Sequence, residues 1–240
     1  MHRLWNATRL KLTAARRRLA RHLPGRFQPY AHTLPDRYPW LFEFAARELG
    51  SNAQLRLLSF GCSRGDEVFT LRRYFPNASV RGIDVDPRNI GIARARAAGD
   101  PAVSFAVAAD TRDEPTAGYH AIFCLAVLCL GDLTTHSAPR SDPYLHFADF
   151  ERVVTDLARC LKAGGLLFLH TTNFRFADVL VAREFDVVLE AEPSQLAPDV
   201  LFDRTNRLLP GARYRAVGFR KRRPEDVAGQ PTGLAEQRLG

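Results

Sequence analysis

LRLLSFGCSRGDEVFTL, residues 55–71, runs from a short apolar stretch through a turn bounded by two glycines into helical spacing. A strand, a glycine turn and a helix in that order commonly hold a ligand. The turn Gly61-Cys62-Ser63-Arg64-Gly65 is neither the phosphate-cradling G-x-x-x-x-G-K-[ST] nor the dinucleotide G-x-G-x-x-G. The helix after it opens with Asp66-Glu67. Free N–H groups at a helix start attract anions, so two carboxylates there compete with a pyrophosphate and suit a ligand that carries a cation. S-adenosylmethionine has an ammonium and a sulfonium and no phosphate.

The chain alternates on both sides of this unit. Apolar runs at 55–60, 79–84, 102–109, 165–171, 185–190 and 212–221 predict strands, and the run 121–130 starts as a buried strand. Helical spacing covers 35–50, 66–75, 87–99 and 146–161, the last ended by Lys162-Ala163-Gly164-Gly165. Strands separated by helices mean βαβ units and a mostly parallel sheet. Ligands of such sheets bind beyond the carboxyl ends of the strands, where the strand order reverses. The second strand ends in Asp84, 19 residues after Gly65, where an acid can accept both hydroxyls of an adenosine ribose. The third ends near Asp110, where a side chain or backbone N–H can meet an adenine edge. The alternative for both acids is a helix-cap or turn role.

The set LLSFGCSRGDEVF, RGIDVDPRNIGIARAR, VSFAVAADT, YHAIFCLAVL and LARCLKAGGLLFLHT resembles the class I S-adenosylmethionine-dependent methyltransferases, across roughly 55–221. The G-C-S-x-G-[DE]-E form is most similar to the chemotaxis-receptor methyltransferases. The resemblance implies a Rossmann-like, doubly wound seven-stranded sheet, mostly parallel with an antiparallel last strand, plus N-terminal helices. It implies that Gly61, Cys62, Ser63 and Gly65 line the methionine part of the cofactor and that Glu67 takes its ammonium. It implies Asp84 and Val85 at the ribose, Ala109, Asp110 and Thr111 at the adenine, and Cys124 and Leu125 under the sulfonium. Many class I members carry an acid two residues before the first glycine; this chain has Ser59.

Methyl transfer from a sulfonium is an in-line displacement on an activated group, so alignment supplies most of the acceleration. A general base is needed only where the acceptor must lose a proton early. The candidates lie where an acceptor enters. His136, Tyr144 and His146 stand in the long segment 131–147, and His170 and Asn173 follow the fifth strand. Each histidine is open to a structural role as well.

Charge divides the chain. Residues 1–30 hold Arg3, Arg9, Lys11, Arg16, Arg17, Arg18, Arg21 and Arg26 and no acid, and the remainder is neutral, so the net charge of +8 belongs to this segment. No specific nucleic-acid binding is implied for the core. The stretch 3–22 can form a helix with Leu12, Ala15, Leu19 and Leu23 on one stripe. It reads as a solvated arm, as a helix for an acidic partner or an anionic membrane surface through residues 1–26, or as a transit segment. The organisation expected is a basic arm and helical cap over 1–50, a methyltransferase domain over 51–223 and a flexible tail over 224–240. Cys62, Cys124, Cys129 and Cys160 form no C-x-x-C pair and no metal-ligand spacing, which suits reduced thiols in a cytoplasm. No window approaches the ~18 apolar residues of a membrane span. The expected activity is methylation of a small molecule at O or N; a protein-carboxyl methyltransferase and a non-catalytic scaffold on the same fold are the alternatives.

Overall fold

A computed structural model describes Phe27 and residues 31–50, 55–197 and 199–228. The basic stretch 3–22 and the chain beyond 228 lie outside the described residues. Seven strands form one sheet in the order β3-β2-β1-β4-β5-β9-β6. These are β1 (Arg56–Phe60), β2 (Ser79–Asp84), β3 (Val103–Val107), β4 (Tyr119–Leu125), β5 (Leu161–His170), β6 (Phe185–Glu190) and β9 (Ala216–Lys221). Every pairing from β3 to β5 is parallel, and β9 runs antiparallel to both β5 and β6. This is the doubly wound, Rossmann-like sheet expected from the sequence, with its antiparallel last strand. The order reverses between β1 and β4, which puts the topological switch point beyond Phe60 and Leu125.

Strand periodicity explains the two cores. Along β4, Ile122 and Cys124 join one apolar cluster while Phe123 and Leu125 join the other. The first cluster packs under helix α5 (Phe147–Cys160), which contributes Phe150, Val153, Val154 and Leu157. The second packs under α1 (Pro39–Leu49), α2 (Asp66–Tyr74) and α3 (Pro87–Ala97). Full burial of each such Leu, Val or Phe contributes about 1.5–3 kcal/mol.

Several boundaries differ from the sequence expectation, each for a local reason. Helix α1 starts at Pro39 rather than at 35, because a residue before proline is pushed out of the helical region; Tyr38 has φ −134° and Asp36 has φ +51°. Residues 35–38 form a turn instead. Helix α5 stops at Cys160 and β5 begins at once, so Lys162-Ala163-Gly164-Gly165 belongs to the strand and not to a helix cap. There the register jumps from Tyr119↔Leu161 to Ala121↔Leu166, and Gly164, at φ +76°, lies in the bulge. The run 121–130 starts as the buried strand expected, and β4 ends at Leu125, where Ala126 turns the chain at φ +57°. The segment 131–147 contains a short helix α4 (Gly131–Thr135), and the β6–β9 connection folds a hairpin of β7 (Leu201–Phe202) and β8 (Leu208–Leu209). The expected loose tail begins as a helical turn, α6 (Pro224–Ala228). Among the described residues no helix is long and apolar enough to cross a membrane.

Candidate active site

A cleft opens over the carboxyl ends of β1, β2 and β4, at the switch point. The glycine turn shapes its floor. Gly61 has φ +76°, and a Cβ there would approach Val127 Cγ2 to 2.5 Å, so only glycine fits. Its N–H and that of Cys62 both donate to the Ile83 carbonyl, at 2.8 and 3.0 Å. Gly65, at φ +86°, is the N-cap of α2. Between them Ser63 also holds a positive φ, +49°. Ala126 and Thr171, the residues after β4 and β5, do the same at +57° and +58°. Left-handed non-glycine residues thus gather at this edge of the sheet, as strain does at functional sites.

Asp84 ends β2 and lines the cleft. Its Oδ2 accepts the Ser63 N–H at 2.9 Å and its Oδ1 accepts the Asp86 N–H at 2.8 Å. The carboxylate therefore ties the glycine turn to β2 and keeps further lone pairs toward the cleft. Glu67 sits in the first turn of α2, and the Ser59 hydroxyl donates to its Oε1 at 2.7 Å. Ser59, in the place of the acid common in class I members, is fully buried. The residue Glu67 is part-exposed, but its carboxyl group is enclosed. Burial pushes that group up to about 8, against the opposing pull of the Ser59 bond and the Arg37 charge.

A strap of chain before α1 roofs this cleft. The Asp36 N–H donates to Thr70 Oγ1 at 3.1 Å, the Tyr74 hydroxyl donates to Asp36 Oδ1 at 3.2 Å, and the Tyr38 hydroxyl lies 3.5 Å from Thr171 Oγ1. Arg37, on the strap, lines the cleft, with its guanidinium 5.2 Å from the Tyr38 ring centre. Sequence reasoning missed Arg37. No motif marks it, because a turn and the whole of α1 separate it from Gly61.

The residues expected at the cofactor divide into two groups. Gly61, Cys62, Ser63, Glu67, Asp84, Val85, Ala109 and Leu125 line the cleft together. Gly65 stands behind the turn, where a Cβ would meet Phe69, Ala93 and Phe105. Cys124 is fully buried on the other face of β4, and burial raises its thiol pKa. Asp110 and Thr111 do not line the cleft. Asp110 accepts the Arg112 guanidinium through both oxygens, at 2.7 to 3.1 Å, and these bonds hold its pKa below the usual carboxylate range. Thr111 is buried, and among the described residues its Oγ1 is the one buried side-chain polar atom with no partner.

The expected acceptor-side residues are also spread. His136 bonds the Asp132 carbonyl through Nδ1 at 2.7 Å on an exposed turn. His146 is the exposed residue that precedes α5, and Tyr144 is 46 % exposed. None of the three lines the cleft. His170 is 4 % exposed and lies against Tyr38, ring centres 4.6 Å apart. Its Nε2 meets the Gln195 carbonyl at 3.0 Å and its Nδ1 meets the Thr171 hydroxyl at 2.8 Å. The Gln195 carbonyl requires Nε2–H, and in the neutral ring Nδ1 accepts from the Thr171 hydroxyl. Burial lowers its pKa, against the opposing pull of the Gln195 bond. Asn173 is a buried hub: Oδ1 accepts the Leu130 N–H at 2.6 Å, Nδ2 donates to the Val200 carbonyl at 2.9 Å, and its carbonyl accepts the Phe202 N–H at 2.9 Å. It pins together the loops after β4 and β5 and the start of β7.

Residues 57–165, just under half of the chain, match a family model described as a methyltransferase domain. A ubiquinone biosynthesis O-methyltransferase of Sinorhizobium medicae (strain WSM419) is 28% identical over 158 residues, which cover 62% of this chain and 56% of that protein. The chain thus spans about half the length of the curated relatives it matches. Among solved structures, the YcgJ protein of Bacillus subtilis aligns with a TM-score of 0.42 at 21% identity, covering 55% of this chain and 51% of that one. The geranyl diphosphate C-methyltransferase of Streptomyces coelicolor A3(2) aligns with a TM-score of 0.41 at 20% identity, covering 54% and 44%. At those scores the structural likenesses carry no argument about activity.

Proposed function

We propose that the chain is an S-adenosylmethionine-dependent methyltransferase acting on a small molecule at O or N. The observation that carries the reading is the meeting of Glu67 and Asp84 in one cleft at the switch point. A phosphate at the start of α2 would face Glu67, whereas an ammonium would find in it a partner; Asp66 is paired with Arg96 at 2.7 Å and does not line the cleft. The residues present fit the cofactor. Asp84 keeps lone pairs for two ribose hydroxyls beside its two backbone bonds. Glu67 and Arg37 offer opposite charges to the ammonium and carboxylate of one amino-acid end. Ala108 and Ala109 leave room for a flat base, and Asp110, bound to Arg112, is not needed there. The match of 57–165 to a methyltransferase-domain model and the likeness to an O-methyltransferase agree with this reading.

The cofactor supplies a methyl group already activated by the sulfonium charge. The protein's share is alignment and exclusion of water. The strap 31–38 covers the cleft, and Asn173 fixes the loops through which an acceptor reaches its open side. Calorimetry is expected to show S-adenosylhomocysteine binding with no comparable binding of NAD or ATP; a preference for either nucleotide sinks the reading. Release of S-adenosylhomocysteine in the presence of acceptors separates an enzyme from a scaffold that merely keeps the fold.

Two finer readings belong with this one. The likeness of Gly61–Glu67 to the chemotaxis-receptor methyltransferases favours a protein carboxyl group as the second acceptor class. The basic segment 1–26 is suited to an acidic partner or an anionic membrane surface, which makes the protein a cytoplasmic enzyme held peripherally. Deleting 1–26 is expected to leave S-adenosylhomocysteine affinity within about twofold and to lower retention on anionic vesicles at low salt, where such attraction is least screened. Unfolding of the shortened chain would make the segment part of the core.

A further inference from the structure

At the amino edge of the sheet, opposite the cleft, β4 and β5 meet in a bulge. There β4 advances from Tyr119 to Ala121 while β5 advances from Leu161 to Leu166. The surplus lies within 162–165, and it brings Lys162 Nζ to 3.0 Å from His120 Nε2. Strand β9 runs antiparallel to β5, so its last residues arrive at the same edge. The Arg220 guanidinium donates to the Gly164 carbonyl at 3.3 Å, and Arg223 lies against Gly164, where a Cβ would approach its Nε to 2.9 Å. We propose that His120, Lys162 and Arg223 form a binding site for a phosphate-class oxyanion, as the free ion or as a phosphomonoester.

Lys162 and His120 face each other donor to donor. The Arg56 N–H donates to His120 Nδ1 at 2.9 Å, so Nδ1 carries no proton. A neutral imidazole then holds its proton on Nε2. Burial and, after it, the Lys162 charge lower the ring's pKa, which keeps it neutral. An ammonium has three donors and no acceptor. The 3.0 Å contact is thus between two N–H groups with no acceptor for either. An oxyanion that takes a hydrogen bond from each supplies the missing partner, and the long lysine stem lets the ammonium turn toward it.

The protein's own acids do not fill that place. Arg220 and Arg222 are paired with Glu48 and Asp186, at 2.6 and 2.7 Å. Among the described residues no carboxylate stands within ion-pair distance of Lys162 or Arg223; Asp226 accepts the Arg223 backbone N–H at 2.8 Å and leaves its guanidinium free of a carboxylate. Arg56 is exposed, with its guanidinium 5.5 Å from the Tyr119 ring centre, and adds to the positive field. His120 and Lys162 are half-buried, so salt screens their attraction for an ion less than it does at a fully exposed pair. Two single donors and a guanidinium fork, brought from three segments, suit the several oxygens of a tetrahedral anion better than the two of a carboxylate.

The test uses the full chain at constant ionic strength, with the imidazole nitrogen resonances of His120 as the readout and inorganic phosphate, phenyl phosphate and acetate as probes. Before any anion is added, His120 should carry its proton on Nε2. Phosphate should shift that signal saturably, and acetate should bind about tenfold more weakly or worse. K162Q and R223Q, changes on a half-buried and an exposed side chain that keep the fold, should each weaken phosphate about fivefold or more. H120N keeps an acceptor for the Arg56 N–H and removes the Nε2 donor; calorimetry should show a similar loss. R88Q, an exposed arginine of α3 outside the site, should leave phosphate affinity within about twofold. Phenyl phosphate binding with the same dependence on Lys162 and Arg223 identifies a phosphomonoester as the ligand class, and binding of inorganic phosphate alone identifies the free ion; either supports the site. No saturable shift, acetate binding as well as phosphate, or equal losses in R88Q and R223Q overturns the proposal. A proton on Nδ1 overturns it too, because Nε2 would then accept from Lys162 and the pair would need no ion.

Discussion

At the amino ends of the strands, Glu114 is paired with a cation. It is buried, the Arg81 guanidinium donates to its Oε1 at 3.1 Å, and the Tyr119 hydroxyl donates to its Oε2. At the carboxyl ends, Asp84 is held only by backbone N–H groups, Glu67 by one hydroxyl, and Asp199 by one long contact. A cavity opens at both ends, so a cavity alone does not mark the site. What differs is the partner: Glu114 is ion-paired with Arg81, whereas among the described residues no cation stands within ion-pair distance of Asp84, Glu67 or Asp199, and Ala126 and Thr171 hold left-handed backbone beside those acids. The acid at one end of the sheet is finished for stability, those at the other are left open for a ligand.

The widest gap between the ends should appear on removing an acid from each. Glu114→Ala leaves Arg81 and Tyr119 without their partner. It is expected to cost about 3 kcal/mol of stability in denaturant titration, the lower end for a broken buried pair, because Arg81 keeps 33% of its side chain in water. S-adenosylhomocysteine affinity of the folded fraction should not change. A loss of affinity with full stability would erase the distinction between the two ends.

Asp84→Ala is the reciprocal change. Each charge-assisted bond to a ribose hydroxyl is worth roughly 1.5–3 kcal/mol. With water recovering part of the two bonds, affinity for S-adenosylhomocysteine should fall about tenfold to several hundredfold. Asp84→Asn keeps one oxygen for the Ser63 or the Asp86 N–H and should lose less. Unchanged affinity in folded Asp84→Ala would remove the ribose assignment.

Glu67 sharpens the comparison through pH. With its pKa raised to about 8, the empty site holds a protonated carboxyl at neutral pH. Taking up an ammonium requires that proton to leave, so affinity should climb by up to about tenfold per pH unit between pH 6 and about 8. The linkage to stability has the opposite sign. The folded state binds more protons than the unfolded one between the ordinary 4.5 and about 8, so this group's contribution is full below that window and is lost as pH rises through it. Glu67→Gln should flatten both dependences; a pH-independent affinity in the wild type argues against an ammonium at Glu67.

The sequence made the first half of the sheet legible because each strand there is followed by a turn with its own chemistry: the two glycines after β1, Asp86-Pro87 after β2. The second half was harder to read. Two-residue strands such as β7 and β8 are too short to show a period, and the 3₁₀ turns at Phe176–Asp178 and Leu180–Glu184 lack one altogether. The site followed the same divide. Glu67 and Asp84 sit within one βαβ unit, so their spacing could be read. Arg37 and Asp199 come to the carboxyl edge on a strap and on a long connection, and the turn at 35–38 and the grip of Asn173 on Val200 decide where they land. His170 was placed at the right strand end, but its engagement by the Gln195 carbonyl, 25 residues on, has no local signature.

The smallest expected effect is the one that tests whether the boundary between the two roles is as narrow as two residues. Asp86 follows Asp84 on the same turn, carries the same side chain and also lines the cleft. Its bonding is different. Its side chain accepts the Arg88 N–H at 2.9 Å as the N-cap of α3, with Pro87 at the first helical position. Removing a capping acid costs about 1 kcal/mol. Asp86→Ala should therefore lower stability by that amount, seen as a shifted denaturation midpoint at unchanged slope. The Asp86 backbone N–H remains to hold Asp84 Oδ1, so cofactor affinity should stay within about twofold. If affinity instead falls as far as in Asp84→Ala, the two carboxylates act as one ligand-binding pair, and the division between a capping acid and a binding acid fails where the chain draws it most finely.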